Sequence, residues 1–155
     1  MELAQRIEHT LLKPEATVKD IMRLCDEAQK YHLYAVCVNP CYVPLAKHLL
    51  QGTEVKVVTV VGFPLGATFS SVKALEAKTA MEEHADEIDM VMNYGLLKSH
   101  EYEKVIHEIT LMSHLCHQHH VGLKVIVETD ALTKEEIKAA VECCIKGEAD
   151  FIKTS

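Results

Sequence analysis

VKVVTVV at residues 55–61 runs directly into Gly62-Phe63-Pro64-Leu65-Gly66, and this junction decides the fold. A continuous β-branched run without polar alternation reads as a strand covered on both faces, as strands of parallel sheets are. The turn-rich pentapeptide stops it, and helical spacing follows over 69–84. The same alternation recurs on both sides. Upstream, TVKDIMRLCDEAQKYH (17–32) sets Val18, Ile21, Cys25 and Ala28 at helical spacing behind a Thr17 N-cap. A short apolar run, Tyr34 to Val38, ends at Asn39-Pro40, and CYVPLAKHLLQ predicts a short helix closed by Gly52. Downstream come an apolar run from Glu87 to Met92, a long helical pattern over 96–120, and the buried run LKVIV at 123–127. The last helix opens with Thr133 and Glu136 at capping-box spacing and runs to about Lys146, and Asp150 to Ser155 reads as a closing strand.

Helices of ten or more residues between strands imply parallel pairing with right-handed crossovers. The order is a helix, about five β-α units and a final strand, with no linker and no low-complexity tract. Two architectures take such a chain, an open doubly wound sheet and a (βα)8 TIM barrel. The glycines do not form the G-x-G-x-x-G that a dinucleotide-binding sheet places after its first strand. Polar residues stand instead at the far ends of apolar runs: Asn39, Asp89 or Asn93, Glu128 and Lys153. In a barrel these ends converge at one mouth. The expectation is therefore a single α/β barrel domain over residues 1–155, incomplete at about six of eight strands, since barrels typically use about 250 residues.

Of the 155 residues 48% are hydrophobic and 25% charged, enough for a packed core. Sixteen Lys and Arg against 23 Asp and Glu give a net charge of −7, which argues against a nucleic-acid surface. No apolar stretch is long enough to span a membrane, and the charged start MELAQRIEHT is unlike a signal peptide. The six cysteines then read as reduced thiols of a cytoplasmic protein, the alternative being disulfides in a secreted one.

Two lysines lie within apolar strands, Lys124 between Leu123 and Val125, and Lys153 after Phe151-Ile152. Lysine is rarely buried without a partner, and in an apolar pocket or beside a second cation its neutral amine becomes available to attack a carbonyl. The structural alternative is a strand-end lysine whose head reaches water. Asp89, an acid inside Glu87–Met92, is either a proton relay kept ionised by a lysine or half of an ion pair that serves only structure. Glu128 ends its strand similarly, or begins a solvated loop. The histidines around His114, His117, His119 and His120 lack the second ligand pair of a zinc site, and His107-Glu108 does not continue into H-E-x-x-H. No metal site is expected. Cys37-x3-Cys41 and Cys143-Cys144 read as core filler.

In order, Ile7-Glu8-His9-Thr10-Leu11-Leu12-Lys13-Pro14, Ala35-Val36-Cys37-Val38-Asn39-Pro40, Val60-Val61-Gly62-Phe63-Pro64-Leu65-Gly66, Ala85-Asp86-Glu87-Ile88-Asp89-Met90-Val91, Leu123-Lys124-Val125-Ile126-Val127-Glu128-Thr129 and Ala149-Asp150-Phe151-Ile152-Lys153-Thr154-Ser155 resemble the deoxyribose-phosphate aldolases. The resemblance implies a class I aldolase on a (βα)8 barrel. Such an enzyme cleaves 2-deoxy-D-ribose 5-phosphate reversibly to D-glyceraldehyde 3-phosphate and acetaldehyde, with neither metal nor cofactor. It assigns the Schiff-base lysine to Lys153, the relay aspartate to Asp89, and substrate-binding positions to Lys124, Thr10 and Cys37. It also implies a small phosphorylated sugar as partner, and a homo-oligomer.

The chain departs from the family pattern at Glu8, where aspartate is usual, at His84 and Glu148, where glycine is favoured, and at Asp130. The family motif would continue beyond Ser155, toward a second lysine and phosphate-binding loops. The expectation is a truncated aldolase with little or no activity alone. Competing readings are a non-catalytic module that self-associates through open strand edges, and an aldolase for another phosphorylated aldehyde.

Overall fold

The computed structural model describes residues 3–154. Ser155, the last residue of the expected closing strand, lies outside the described residues. Six strands alternate with helices: β1 (Glu8–Leu11), α1 (Val18–Lys30), β2 (Ala35–Val38), α2 (Val43–Leu49), β3 (Lys56–Val61), α3 (Ser70–Glu82), β4 (Glu87–Val91), α4 (Tyr94–Lys98), α5 (Tyr102–Gln118), β5 (Gly122–Ile126), α6 (Lys134–Lys146) and β6 (Phe151–Lys153). The sheet follows chain order from β1 to β6. That is the parallel α/β arrangement the strand–helix alternation predicts. The periodic pattern begins with a helix, whereas the structure begins its sheet with β1, four residues too short to show a period of its own.

Two compact units divide the chain, one of residues up to Val60 with Ala80–Glu87, the other Val61–Thr79 with Ile88–Ser155. In the first, β1 pairs with β2 and β2 with β3, both in parallel, with Thr10 opposite Cys37 and Cys37 opposite Val58. Every residue of β2 is buried, the reason its sequence shows no alternation. Ala35, Cys37, Val58 and Val60 form one packed cluster, with Leu12 and Tyr34 against it. Thr17 caps α1 through a reciprocal box with Asp20, and the helix buries Ile21, Leu24, Cys25 and Ala28. Asp86 ties the approach to β4 onto β3. Its backbone N–H donates to Val57 O at 2.8 Å, and its carboxylate accepts from Val57 N at 2.7 Å and from Lys47 Nζ at 2.9 Å.

In the second unit β5 and β6 pair in parallel, Lys124 opposite Phe151 and Ile126 opposite Lys153. α5 buries Val105, Ile109, Met112 and Cys116, and α6 opens with the expected Thr133–Glu136 capping box. The single helix expected over 96–120 is two. Asn93 caps α4 by accepting from Leu96 N at 3.1 Å. The chain then turns through His100 at φ 58° before α5 begins. A left-handed residue cannot continue a right-handed helix, and apolar periodicity carries no sign of that break.

Five helices end in the same way. After α1, α3, α4, α5 and α6 a left-handed residue follows the cap: His32 (φ 51°), His84 (69°), His100 (58°), His120 (58°) and Glu148 (61°). The N–H of the next residue reaches back to the helix in each case: Leu33 to Ala28 O, Ala85 to Ala80 O, Glu101 to Leu96 O, Val121 to Cys116 O and Ala149 to Cys144 O. These are Schellman closures, in which glycine is the usual left-handed residue because it has no Cβ to crowd the carbonyl. His84 and Glu148, where the family favours glycine, are both left-handed, as are His32, His100 and His120. Replacing His84 or Glu148 with Gly should raise unfolding free energy by about 0.5–1 kcal/mol each, the left-handed penalty exceeding the entropy that glycine adds to the unfolded chain. Urea unfolding reads this directly, and an unchanged or lowered midpoint contradicts it.

Candidate active site

A strand turns successive side chains to opposite faces, so residues two apart share a face. Lys124 lies opposite Phe151 and two residues before Ile126, which lies opposite Lys153. The two lysines therefore leave neighbouring strands on one face. Both meet Asp89 of β4. Lys124 Nζ donates to Asp89 Oδ1 at 3.1 Å, and Lys153 Nζ donates to Asp89 Oδ2. The carboxylate is fully buried and the Lys124 side chain nearly so, whereas the Lys153 side chain keeps 30% of its surface open to solvent. One carboxylate thus bridges two amines, and the more accessible amine belongs to the last residue of β6.

Asp89, Lys124 and Lys153 are accordingly brought together. Thr10 and Cys37 stand opposite each other on β1 and β2 in the first unit. The Thr10 hydroxyl donates to Glu8 O at 3.1 Å, and Cys37 is fully buried. Glu128, just past β5, is left-handed at φ 46° and precedes a short turn over Thr129–Ala131, so its place is a strained strand-to-helix turn. His117 pairs with Asp150 at 2.9 Å, and His114 lies 3.7 Å from Glu148.

None of the six cysteines is disulfide-bonded. Cys25, Cys37, Cys116, Cys143 and Cys144 are buried as core filler, but Cys41 is exposed, because it falls in the turn Pro40–Tyr42 rather than on a packed face. Burial pushes the Cys25 thiol up to about 11 and the Cys116 and Cys144 thiols up to about 12, which keeps them protonated and poor nucleophiles.

Sequence reasoning missed a second buried charge cluster. Lys73 of α3 is fully buried, and its Nζ donates to Val91 O at 2.8 Å and to Glu108 Oε1 at 2.9 Å. Glu108 also accepts from Ser70 Oγ at 3.0 Å and from Asn93 N at 3.3 Å. Burial draws the Lys73 ammonium below its ordinary range, against the opposing pull of Glu108. A signal was available for Glu108, which interrupts the apolar stripe Val105, Ile109, Met112. None was available for Lys73, since a lysine on a helix ordinarily reads as solvated.

A parallel α/β sheet carrying two strand lysines on one buried carboxylate has the parts of an aldolase, a carbon–carbon lyase. Comparison with known proteins gives the family. Residues 3–155 match the DeoC/LacD family aldolases, and the chain belongs to that family. It is 49% identical over 154 residues to the deoxyribose-phosphate aldolase of Mannheimia succiniciproducens, covering 99% of this chain and 68% of the relative. To that of Thermococcus kodakarensis it is 51% identical over 156 residues, covering 99% and 70%. Among solved structures, the tetrameric deoxyribose-phosphate aldolase of Aeropyrum pernix superposes with a TM-score of 0.91 at 33% identity, covering 99% of this chain and 64% of that one. An aldolase designated QR15 superposes at 0.93 with 41% identity, covering 100% and 68%.

Removing the bridging carboxylate leaves the Lys124 ammonium buried beside a second cation. Asp89→Leu should therefore lower unfolding free energy by about 3 kcal/mol. Adding Lys124→Met should restore much of that loss, because the buried ammonium that the carboxylate offset is then gone. Denaturant unfolding of the single and double variants checks the pair, and equal losses in both would show that the bridge carries no such coupling.

Proposed function

We propose that the chain carries the Schiff-base machinery of a deoxyribose-phosphate aldolase, with Lys153 as the nucleophile. The carrying observation is the bridge in which one buried carboxylate, Asp89, holds Lys124 and the more accessible Lys153 on separate oxygens. The Lys153 amine in its neutral form adds to the aldehyde carbon of open-chain 2-deoxy-D-ribose 5-phosphate, and water leaves to give a protonated imine. A base takes the proton of the hydroxyl two carbons from the imine carbon. The bond between that carbinol carbon, C3, and C2 breaks, its electron pair enters the imine as an enamine, and D-glyceraldehyde 3-phosphate departs. Protonation of the enamine carbon and hydrolysis release acetaldehyde and return the amine.

In this reading Asp89 accepts and returns the proton. Lys124 sets a second positive charge beside the Asp89 carboxylate that Lys153 also meets. Thr10 and Cys37 are the further substrate-binding positions that the family likeness suggests. The steps need neither metal nor cofactor.

We further propose a single barrel domain, the six strands in chain order belonging to a (βα)8 sheet, whose mouth lies at the carboxyl ends of the strands. The tetrameric relative supports self-association, and no described helix is long and apolar enough to cross a membrane. A cytoplasmic, homo-oligomeric enzyme acting on a small phosphorylated sugar fits these features.

Borohydride reduction in the presence of acetaldehyde tests the central step without requiring full turnover. Peptide mapping should find the reduced ethyl adduct on Lys153, and Lys153→Leu should abolish it. An adduct spread over surface lysines, with Lys153 unlabelled, would refute the assignment.

A further inference from the structure

The carboxyl end of β4 is restrained at three successive residues by groups outside the Asp89 bridge. Val91 O accepts from Lys73 Nζ at 2.8 Å, and Asn93 N donates to Glu108 Oε1 at 3.3 Å. Between them, Met92 O lies so close to Gly66 that a Cβ there would sit 2.2 Å from it. The loop after β3 is fastened to the same cluster. Gly62 packs on the Lys73 stem, where a Cβ would fall 2.8 Å from its Cε, and Gly62 N donates to Glu76 Oε2 at 2.8 Å. Gly66 N closes the loop onto Gly62 O at 2.7 Å.

A buried ion pair is a poor route to stability, since desolvating both charges offsets most of their attraction, and an apolar pair of similar volume often serves as well or better. What an apolar pair lacks is direction. Lys73 and Glu108 place hydrogen bonds on two particular backbone atoms of β4 and the residues just past it, and Val91 is two residues past Asp89, on the same face of the strand. A shift of this strand end moves the carboxylate relative to both lysines.

We infer that Lys73 and Glu108 are positioning residues for the Asp89–Lys153 pair, holding the carboxyl end of β4 and the 62–66 loop in the register that imine formation requires. The inference rests on the Schiff-base reading of Lys153 and adds to it residues that touch no reacting atom.

The test is the double variant Lys73→Met/Glu108→Leu beside the unaltered chain, with unfolding midpoint and borohydride trapping by acetaldehyde both measured. The double variant should unfold at or above the unaltered midpoint. Its maximal rate of Lys153 labelling should fall on the order of tenfold to a hundredfold, as small misplacements of reacting groups do. Half-saturation in acetaldehyde should stay near its original value, because binding is not what the pair controls. A stable double variant that labels Lys153 at the original rate overturns the inference. Should the double variant not fold, Ser70→Ala, which removes one hydrogen bond from Glu108, should slow labelling severalfold with little change in midpoint. An unchanged rate there overturns the inference equally. Failure of the unaltered chain to label Lys153 at all overturns the Schiff-base reading itself, a separable result.

Discussion

A carboxylate removed from water must be paired with cations or hydrogen-bond donors, and in this protein that demand falls on Asp89. Its two oxygens take one amine each, from Lys124 and from Lys153. Because the two lysines stand on adjacent strands in fixed register, strand pairing and charge pairing constrain each other. A one-residue slip of β6 would turn Lys153 to the opposite face and take its amine from Asp89. The penalty for an unmatched buried charge helps to enforce the register that assembles the site.

The surrounding backbone is repetitive where it can be and specialised where it must be. Five helices end in the same left-handed turn, four times with histidine and once with glutamate where glycine would be less strained. At the opposite ends of the strands uniformity gives way. Asn93 caps a short helix, Glu128 occupies a left-handed turn, and Lys73 with Glu108 grips the end of β4 from two helices. Regular turns need only close a helix, whereas the strand ends must hold particular side chains at particular places.

Much of this is legible in the amino-acid order. The β-branched run at β3 and the mostly apolar run at β5 identify these strands, because strands covered on both faces need no polar alternation. Thr17 as an N-cap, and Thr133 with Glu136 at capping-box spacing, mark two helix starts through chemistry confined to a few residues. Lys124, Lys153 and Asp89 attract notice because charged residues inside apolar runs need a reason to be there. β1 escapes periodic reading by its shortness, and the division of one long helix into α4 and α5 depends on a backbone angle at His100 that side-chain pattern does not record.

By itself, the sequence determines an α/β chain with parallel strands, its membership in an aldolase family, and the three charged residues of the site, since each depends on local composition or on ordered motifs. Only the tertiary structure decides that the three share a single carboxylate, that Lys153 is the amine left accessible, and that Lys73 is buried against Glu108 rather than solvated. Those outcomes depend on distances between residues remote in the chain, and such distances exist only once helices and strands have packed.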